Sequence, residues 1–375
     1  MGLNKMKILI TGGMGFIGTK LAEQLRNLSH DVTVVDTLSP QIHGEIPLVS
    51  PIDGVKFIRK DVLHLTEHPE ILDGSDVIYH LAAETGTAQS MYRISNYVRT
   101  NELGTAALLE GLAKCEHRPK KIILASSRSI YGEGAYKGRT TQKTFQPASR
   151  GKAQLEAKQW EHIFPNETVD AVATPESLSP RPGSIYAATK YSQEMLLAVA
   201  GEALGFKAVA LRFQNVYGEG QSLMNPYTGI ISIFYNRARQ GLPLPIYEDG
   251  KESRDFIHVS DVVHALIDTL DASLEHGIAL NIGSGKPTSV HELAKVLCEV
   301  SGFNVDIEVT GQYRVGDIRH CYADLTRVTS ELGFEPQVSL AEGLRRFANW
   351  ASGQPTYEDR SSKALYELKK MGLTR

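Results

Sequence analysis

The sequence predicts an α/β protein, with a doubly wound parallel sheet and a smaller C-terminal α/β lobe. Three observations predict it. Short apolar runs alternate with helical patterns over the first two thirds of the chain. Most of these runs are dense in Val, Ile and Leu rather than alternating in polarity, as suits parallel strands covered on both faces. A glycine-rich turn follows the first run. Strands separated by helices in this way build a doubly wound sheet.

The elements follow in order. "KILIT" (7–11) is the first strand and "IGTKLAEQLRNL" (17–28) the first helix. "DVTVVD" (31–36), "VKFIRKD" (55–61) and "DVIYHLAA" (76–83) are the next three strands. "NELGTAALLEGLAKC" (101–115) has helical spacing, and "KKIILASS" (120–127) is a buried strand that ends in hydroxyls. The helix "YAATKYSQEMLLAVAGEALG" (186–205) leads into the strand "KAVALRF" (207–213). Residues 132–185 interrupt this rhythm; they are polar, end Pro-rich and are too long for a simple connection. They read as an insertion, an ordered excursion or a lid, with one helix expected over "AQLEAKQWEHIF" (153–164). Beyond 213 the pattern loosens, "IALNIGSG" (278–285) returns as a strand, and "DRSSKALYELKKMG" (359–372) reads as a surface amphipathic helix. The expected division is 1–213 with the insertion 132–185, 214–350 with parts such as 255–285 returning to the first unit, and a helical tail over 351–375.

A net charge of −3 leaves no basic footprint for nucleic acid. Cys115, Cys298 and Cys321 are far apart and form no C-x-x-C pair, so neither a disulfide framework nor a metal site is expected. A reducing compartment fits. No apolar run reaches membrane-spanning length, and "MKILIT" (6–11) already reads as strand, so a cytoplasmic protein without a leader is expected.

"ITGGMGFIG" (10–18) carries Gly12, Gly13, Gly15 and Gly18 between the first strand and the first helix, with Phe16 and Ile17 opening that helix. Glycines there permit a tight turn and close approach of backbone to a pyrophosphate. The helix N-terminus then offers N–H groups to the phosphates. Alone, such a turn is weak evidence. Asp36 ends the second strand about 20 residues on, where a carboxylate accepts from an adenosine ribose; a solvated strand-end Asp is the plainer reading. A carboxylate there would repel a 2′-phosphate, so NAD is favoured over NADP. Together these make the sheet Rossmann-type. Asp61 and Val62 close the third strand and would meet the adenine edge, or Asp61 is a turn residue. In "HLAA" (80–83), His80 is a satisfied core histidine or a site residue, and Leu81, Ala82 and Ala83 leave room for a flat cofactor.

"SIYAATKYS" (184–192) sets Tyr186 and Lys190 on one helical face. A tyrosine acts as a base only if its pKa, ordinarily about 10, falls toward neutrality; a shift of about 3 units needs roughly 4 kcal/mol. A neighbouring ammonium has the right sign. Such a pair also arises by chance on many helices.

The order glycine loop, serine-tipped strand, Tyr-x-x-x-Lys helix resembles the short-chain dehydrogenase/reductase superfamily, and "TGGMGFIG" with the chain length resembles its extended branch, the nucleotide-sugar epimerases and dehydratases. The resemblance implies that Ser127, in "ILASSRSIYG" (123–132), is the catalytic hydroxyl beside Tyr186, with Ser126 supporting it or capping the strand. It also implies that Lys190 reaches the nicotinamide ribose, that Asn101 braces the cofactor side, and that Thr85 and Ser90 touch the cofactor or the sugar diphosphate. Related dehydratases carry an acidic pair after the serine. Here Arg128 and Ser129 follow, so elimination lacks its acid–base and 4-epimerisation is expected, with Ser129 near the substrate. Asn215 in "RFQNVYG" (212–218), Arg254 in "SRDFIHVSD" (253–261) and Arg314 in "YRVGDIRH" (313–320) match positions that hold the diphosphate, with Asp317 for a ribose hydroxyl. Arginine suits a phosphate through its planar fork, although a single Arg is more often a surface charge.

"NVYGEGQSLMNPYTGIISIF" (215–234), "RVGDIRHCYAD" (314–324), "ASSRSIYGEG" (125–134) and "PQIHGE" (40–45) resemble the dTDP-L-rhamnose 4-epimerase subgroup. Members of that subgroup carry cysteines in the insertion, whereas this chain has none between 116 and 297. The expectation is therefore an NAD-dependent nucleotide-sugar 4-epimerase. The alternatives are a UDP-hexose 4-epimerase, an NAD(P)-dependent keto-sugar reductase or a non-catalytic NAD-sensing protein. The family also implies a homodimer through a four-helix bundle of 92–114 and 186–204.

Overall fold

The computed structural model describes residues 5–44, 52–225, 229–314, 316–357 and 370–371, so the expected tail helix falls almost wholly outside the described residues. Seven strands form one sheet: β1 (Lys7–Thr11), β2 (Asp31–Asp36), β3 (Lys56–Arg59), β4 (Val77–His80), β5 (Lys121–Ser127), β6 (Lys207–Phe213) and β7 (Ile278–Ile282). All pairs are parallel and the order is β3-β2-β1-β4-β5-β6-β7. The strand expected over 278–285 thus joins this sheet at its edge, ending at Ile282. Thr11 sits opposite His80, and Ser127 opposite Phe213, so the strand ends share one edge.

The main helices are α1 (Phe16–Asn27), α2 (Gly104–Ala113), α3 (Ile185–Leu204), α4 (Ile230–Arg239), α5 (Val259–Asp268), α6 (Val290–Ser301) and α7 (Leu340–Ser352). Successive strand residues point to opposite faces. Ile8 and Ile10 therefore pack with Leu21 and Leu25 of α1 and Val262 and Leu266 of α5 on one face. Leu9 and Val35 pack with Leu108 and Leu112 of α2 and Leu197 of α3 on the other. Each such side chain contributes about 1.5–3 kcal/mol on burial. Ser184 caps α3, its hydroxyl accepting from the Ala187 N–H at 3.1 Å, and Gly205 ends that helix at φ +80°. A second core holds Phe234 and Tyr235 of α4, Leu293 and Leu297 of α6, and Leu344 and Phe347 of α7. Among the described residues no helix is long and apolar enough to cross a membrane.

The insertion is an ordered excursion. Ala135–Gly138 pairs antiparallel with both Thr144–Phe145 and Val169–Val172. The helix expected over 153–164 is only Lys152–Glu156. Tertiary charge stops it. Arg319 is fully buried and its Nε donates to Glu161 at 2.8 Å, which draws residue 161 away from a helical path. The Gln154 side chain donates to the carbonyls of Gln159 and Glu161 in place of a continuing helical ladder. Arg319 also donates to Asp249 at 2.7 Å and Glu248 at 3.0 Å, and Arg150 of the insertion donates to the same Glu248 at 2.7 Å. Burial pushes nearby Glu252 up to about 7, which limits the negative charge that Arg319 must balance.

Removing a buried charge leaves its partners uncompensated, which typically costs about 3–5 kcal/mol. Arg319→Met is expected to lose stability of that order in urea unfolding. Faster amide exchange should concentrate in 132–185 and 248–252 and spare the seven-stranded sheet.

Candidate active site

At the β1–α1 turn, Gly12 adopts φ +69°, and a Cβ there would lie 2.6 Å from the Ala82 nitrogen. A Cβ at Gly18 would lie 2.4 Å from the Gly12 oxygen, so α1 packs directly on the turn. Phe16 and Ile17 begin α1, whose N-cap residue Gly15 supplies no side-chain cap. The first-turn N–H groups are thus left for an anion. The Asp36 carboxylate accepts from Met14 N at 3.0 Å and Leu38 N at 2.9 Å, which fixes it beside the turn; each oxygen keeps a lone pair for a ribose hydroxyl. Asp61 accepts from Leu63 N at 3.0 Å and caps the turn 62–67, as the turn reading held, while Val62 is buried against Gly104. Leu81, Ala82 and Ala83 continue from β4; Leu81 N donates to Thr11 O at 3.0 Å.

His80 is a core histidine, as one of the two readings had it. Its Nδ1 meets Thr11 Oγ1 at 2.7 Å and its Nε2 meets Thr105 Oγ1 at 2.9 Å. Burial, and then the Lys190 charge, hold it down at about 3, so the ring is neutral. One proton arrangement satisfies the chain. Thr105 Oγ1 donates to Asn101 O at 2.6 Å, so it accepts from His80 Nε2 and from Gln193 Nε2, the latter at 2.8 Å. His80 Nδ1 then accepts from Thr11. Asn101 accepts from Glu84 N at 2.8 Å and donates to Thr189 Oγ1 at 2.9 Å, which joins the β4 exit to the helix bearing Tyr186 and Lys190. Ser90 is buried and donates to Thr87 O, whereas Thr85 is exposed, its carbonyl accepting from Tyr97.

Ser127 ends β5. Its hydroxyl accepts from Ser129 N at 3.2 Å and Ser129 Oγ at 2.9 Å, and it lies near enough to the Tyr186 phenol to favour the ionised form. Ser126 donates to Glu194, whose carboxylate is gripped by Arg212 at 2.8 and 3.0 Å. Ser126 therefore anchors the strand end to α3. Lys190 donates to Ala125 O at 2.9 Å; burial pulls it down to about 7, and Glu194 one turn away opposes that fall. The expected fall of the phenol is not produced by the protein alone. Burial raises Tyr186, and the Ser127 hydroxyl and the Arg128 guanidinium pull it partly back.

The expected substrate residues also converge. Arg254 donates to Asp317 at 2.8 Å and to the carbonyls of Ser253 and Ile318. Asp317 is held below the usual carboxylate range by Arg254, then Arg314, Arg150 and Arg128, against the effect of its burial. Arg314 stacks over Tyr247 at 4.8 Å, and its buried Nε has no hydrogen-bond partner among the described residues. Arg128 Nη2 meets Asn215 Oδ1 at 3.4 Å, which connects this cationic group to the Ser127–Tyr186 end. The insertion's Arg150 donates to Asp317 O at 3.0 Å. No helical or strand periodicity in the sequence marks Arg128, Arg150 or Arg319 as partners of these groups.

The chain matches the model of the NAD dependent epimerase/dehydratase family over residues 8–152 and 161–283. It is 38% identical to a dTDP-L-rhamnose 4-epimerase of Burkholderia thailandensis, over 92% of this chain and 94% of that protein. The UDP-glucose 4-epimerase of Thermotoga maritima, solved with UDP-glucose, superposes with a TM-score of 0.75 at 30% identity, covering 92% of this chain and 99% of that one. The UDP-glucuronic acid 4-epimerase of Bacillus cereus, solved with UDP-glucuronic acid and NAD, has a TM-score of 0.74 at 26% identity, covering 92% and 99%.

The uncapped start of α1 and the close packing of the glycine turn fit a bound dinucleotide. Gly18→Ala would push α1 off that turn. The purified variant is expected to carry less than about a tenth of the wild-type dinucleotide, on the order of 1.4 kcal/mol or more in binding, read by chromatography of nucleotide released on denaturation.

Proposed function

The chain belongs to the NAD dependent epimerase/dehydratase family, and we propose that, as an NAD-dependent nucleotide-sugar epimerase, it inverts C4 of its sugar. The pair dTDP-L-rhamnose and dTDP-6-deoxy-L-talose is the first to test, because the relative from Burkholderia thailandensis is a dTDP-L-rhamnose 4-epimerase. The observation that carries the reading is Ser127 at the end of β5 beside Tyr186 in the first turn of α3, with Arg128 and Ser129 following where elimination would need carboxylic acids.

In this reading Tyr186, as phenolate, takes the proton of the C4 hydroxyl. Ser127 donates to the same oxygen as it becomes a carbonyl, and Tyr186 returns the proton on re-reduction. NAD, when bound, would supply the acceptor and the donor of hydride for C4. The sugar is oxidised and reduced within one turnover, so no second redox substrate is required. Lys190 holds the nicotinamide ribose and Asp36 the adenosine ribose. Asn215, Arg254 and Arg314 hold the diphosphate and Asp317 a ribose hydroxyl, leaving the keto sugar to turn about its diphosphate link. The orphaned Arg314 Nε supports an anion there. Residues 1–213 then serve mainly the cofactor and 214–350 mainly the substrate, with 255–285 returning to the first unit. Three buried free thiols suit a reducing compartment, and we place the enzyme in the cytoplasm.

We further propose a homodimer. Leu103, just before α2, and Met195 and Val199 of α3 are exposed, Val199 by 68%, and α2 packs beside α3. Ile94 and Val98 extend this apolar face, and a second copy would cover it as a four-helix bundle.

Incubation with a panel of UDP-, dTDP-, GDP- and CDP-sugars, followed by NMR, should reveal inversion at C4 without accumulation of NADH. Tyr186→Phe should lower kcat by roughly a hundred- to ten-thousand-fold. Net NADH without inversion would reject the reading. For the dimer, light scattering should give twice the chain mass for wild type and the single mass for Val199→Glu; a monomeric wild type would sink that part alone.

A further inference from the structure

Pro40–His43, within "PQIHGE", forms a short helical turn beyond the end of β2. The chain reaches it through Leu38, which adopts φ +57°, a region unfavourable for leucine. Leu38 is held there by its burial and by its N–H, which donates to Asp36 Oδ1 at 2.9 Å. Backbone kept against its preference is typical of ligand clamps. At the other end, a Cβ on Gly44 would lie 3.7 Å from Met224 Cε, so the segment runs from the Asp36 carboxylate to the lobe beyond residue 213. Thr87–Ser90 forms a second short helical turn, beyond the end of β4. Its Gln89 is buried, and the Tyr97 hydroxyl reaches Gln89 Oε1 at 3.1 Å. The two segments are joined by their amides. Gln41 Nε2 donates to Gln89 Oε1 at 3.2 Å, and Gln89 Nε2 donates back to Gln41 Oε1 at 3.2 Å. Exchanging O and N in both amides leaves the pair intact. β2 and β4 lie on either side of β1, and the glycine turn follows β1. A link from the segment after β2 to the segment after β4 therefore crosses beyond the end of β1, where that turn lies.

We propose that Gln41 and Gln89 form a clasp across the crevice that retains the bound dinucleotide and slows its release. The proposal rests on the NAD site of the proposed function and not on inversion at C4. An amide pair suits this task. It is uncharged, so it neither repels a diphosphate nor titrates, and each amide carries both the donor and the acceptor that its partner needs. It can also open for loading, because a hydrogen bond in contact with water is worth little net. Two such bonds broken together correspond to roughly tenfold in an opening equilibrium. Each amide is the other's partner, so loss of either side chain breaks both bonds, and losing the second adds nothing.

The experiment loads the purified protein with radiolabelled NAD, chases with excess unlabelled NAD and follows the label retained with time. Gln41→Leu, Gln89→Leu and the double variant are each expected to release label about tenfold faster than wild type. Release from Gln41→Leu at the wild-type rate would overturn the proposal. So would a double variant about a hundredfold faster than wild type, since that would show two independent contacts rather than one shared link. Gln89 is buried and also meets Tyr97, so its variant is the one at risk of misfolding; Gln41 lies in a surface segment, and Gln41→Leu then decides the matter alone. The assay uses no sugar. Coupled acceleration of release without C4 inversion in wild type therefore rejects the epimerase reading alone. C4 inversion with an unchanged release rate in Gln41→Leu rejects the clasp alone.

Discussion

A buried chain of hydrogen bonds through His80 fixes the geometry on which the site depends. It runs from Thr11 at the end of β1 through the ring to Thr105 and Gln193, joining two strands to α2 and α3. Asn101, whose carbonyl accepts from Thr105, carries the chain on to Glu84 and Thr189. The strand order reverses between β1 and β4, and that is where a crevice opens beyond the carboxyl ends of a doubly wound sheet. The chain ties together both sides of the crevice and the helix that lines it. It works only with a neutral ring, because a protonated His80 could not accept from Thr11. Burial favours that state, holding the ring well below its ordinary value.

Burial has the opposite consequence one layer out. The environment that keeps His80 neutral also opposes a charge on Tyr186 and on Lys190. Arginines offset part of this: the Arg128 charge opposes the rise of Tyr186, and Arg212 is paired with Glu194, which in turn favours the charged form of Lys190. Each arginine is placed by tertiary contacts rather than by helical spacing.

That difference explains what was legible in the sequence. The strands could be read because a strand covered on both faces must be apolar throughout, and the observed Lys121–Ser127 and Lys207–Phe213 lie within a residue of the expected runs. The glycine turn could be read because Gly12 needs φ +69° and Gly18 has no room for a Cβ. Ser127 and Tyr186 were found by resemblance to a known motif order, and they meet in space. Arg128 is legible only as a missing acid, since its hydrogen-bond partner Asn215 lies far along the chain. The helix expected over 153–164 failed for the same reason, because propensity within that window carries no record of Arg319.

The insertion follows from the same physics. Its short strands bury little apolar surface, with Ala135, Tyr136 and Leu155 among its few buried apolar side chains. A small excursion of this kind needs something other than a core to hold it. Cysteines do not serve here, since none lies between 116 and 297. The ion network does. Glu161 and Arg150 reach out of the insertion to Arg319 and Glu248, and Arg150 also donates to the Asp317 carbonyl at 3.0 Å. The Arg150–Glu248 pair is buried on both sides, and such pairs are poor sources of net stability but strong constraints on geometry once formed, because any displacement leaves a charge unpaired. The insertion is therefore held in one place relative to Asp317 and the arginines around it. A change of residue in 150–161 that disturbs these pairs reaches Asp317 and its partner Arg254 through Arg150, because a single hydrogen bond joins Arg150 to the Asp317 carbonyl.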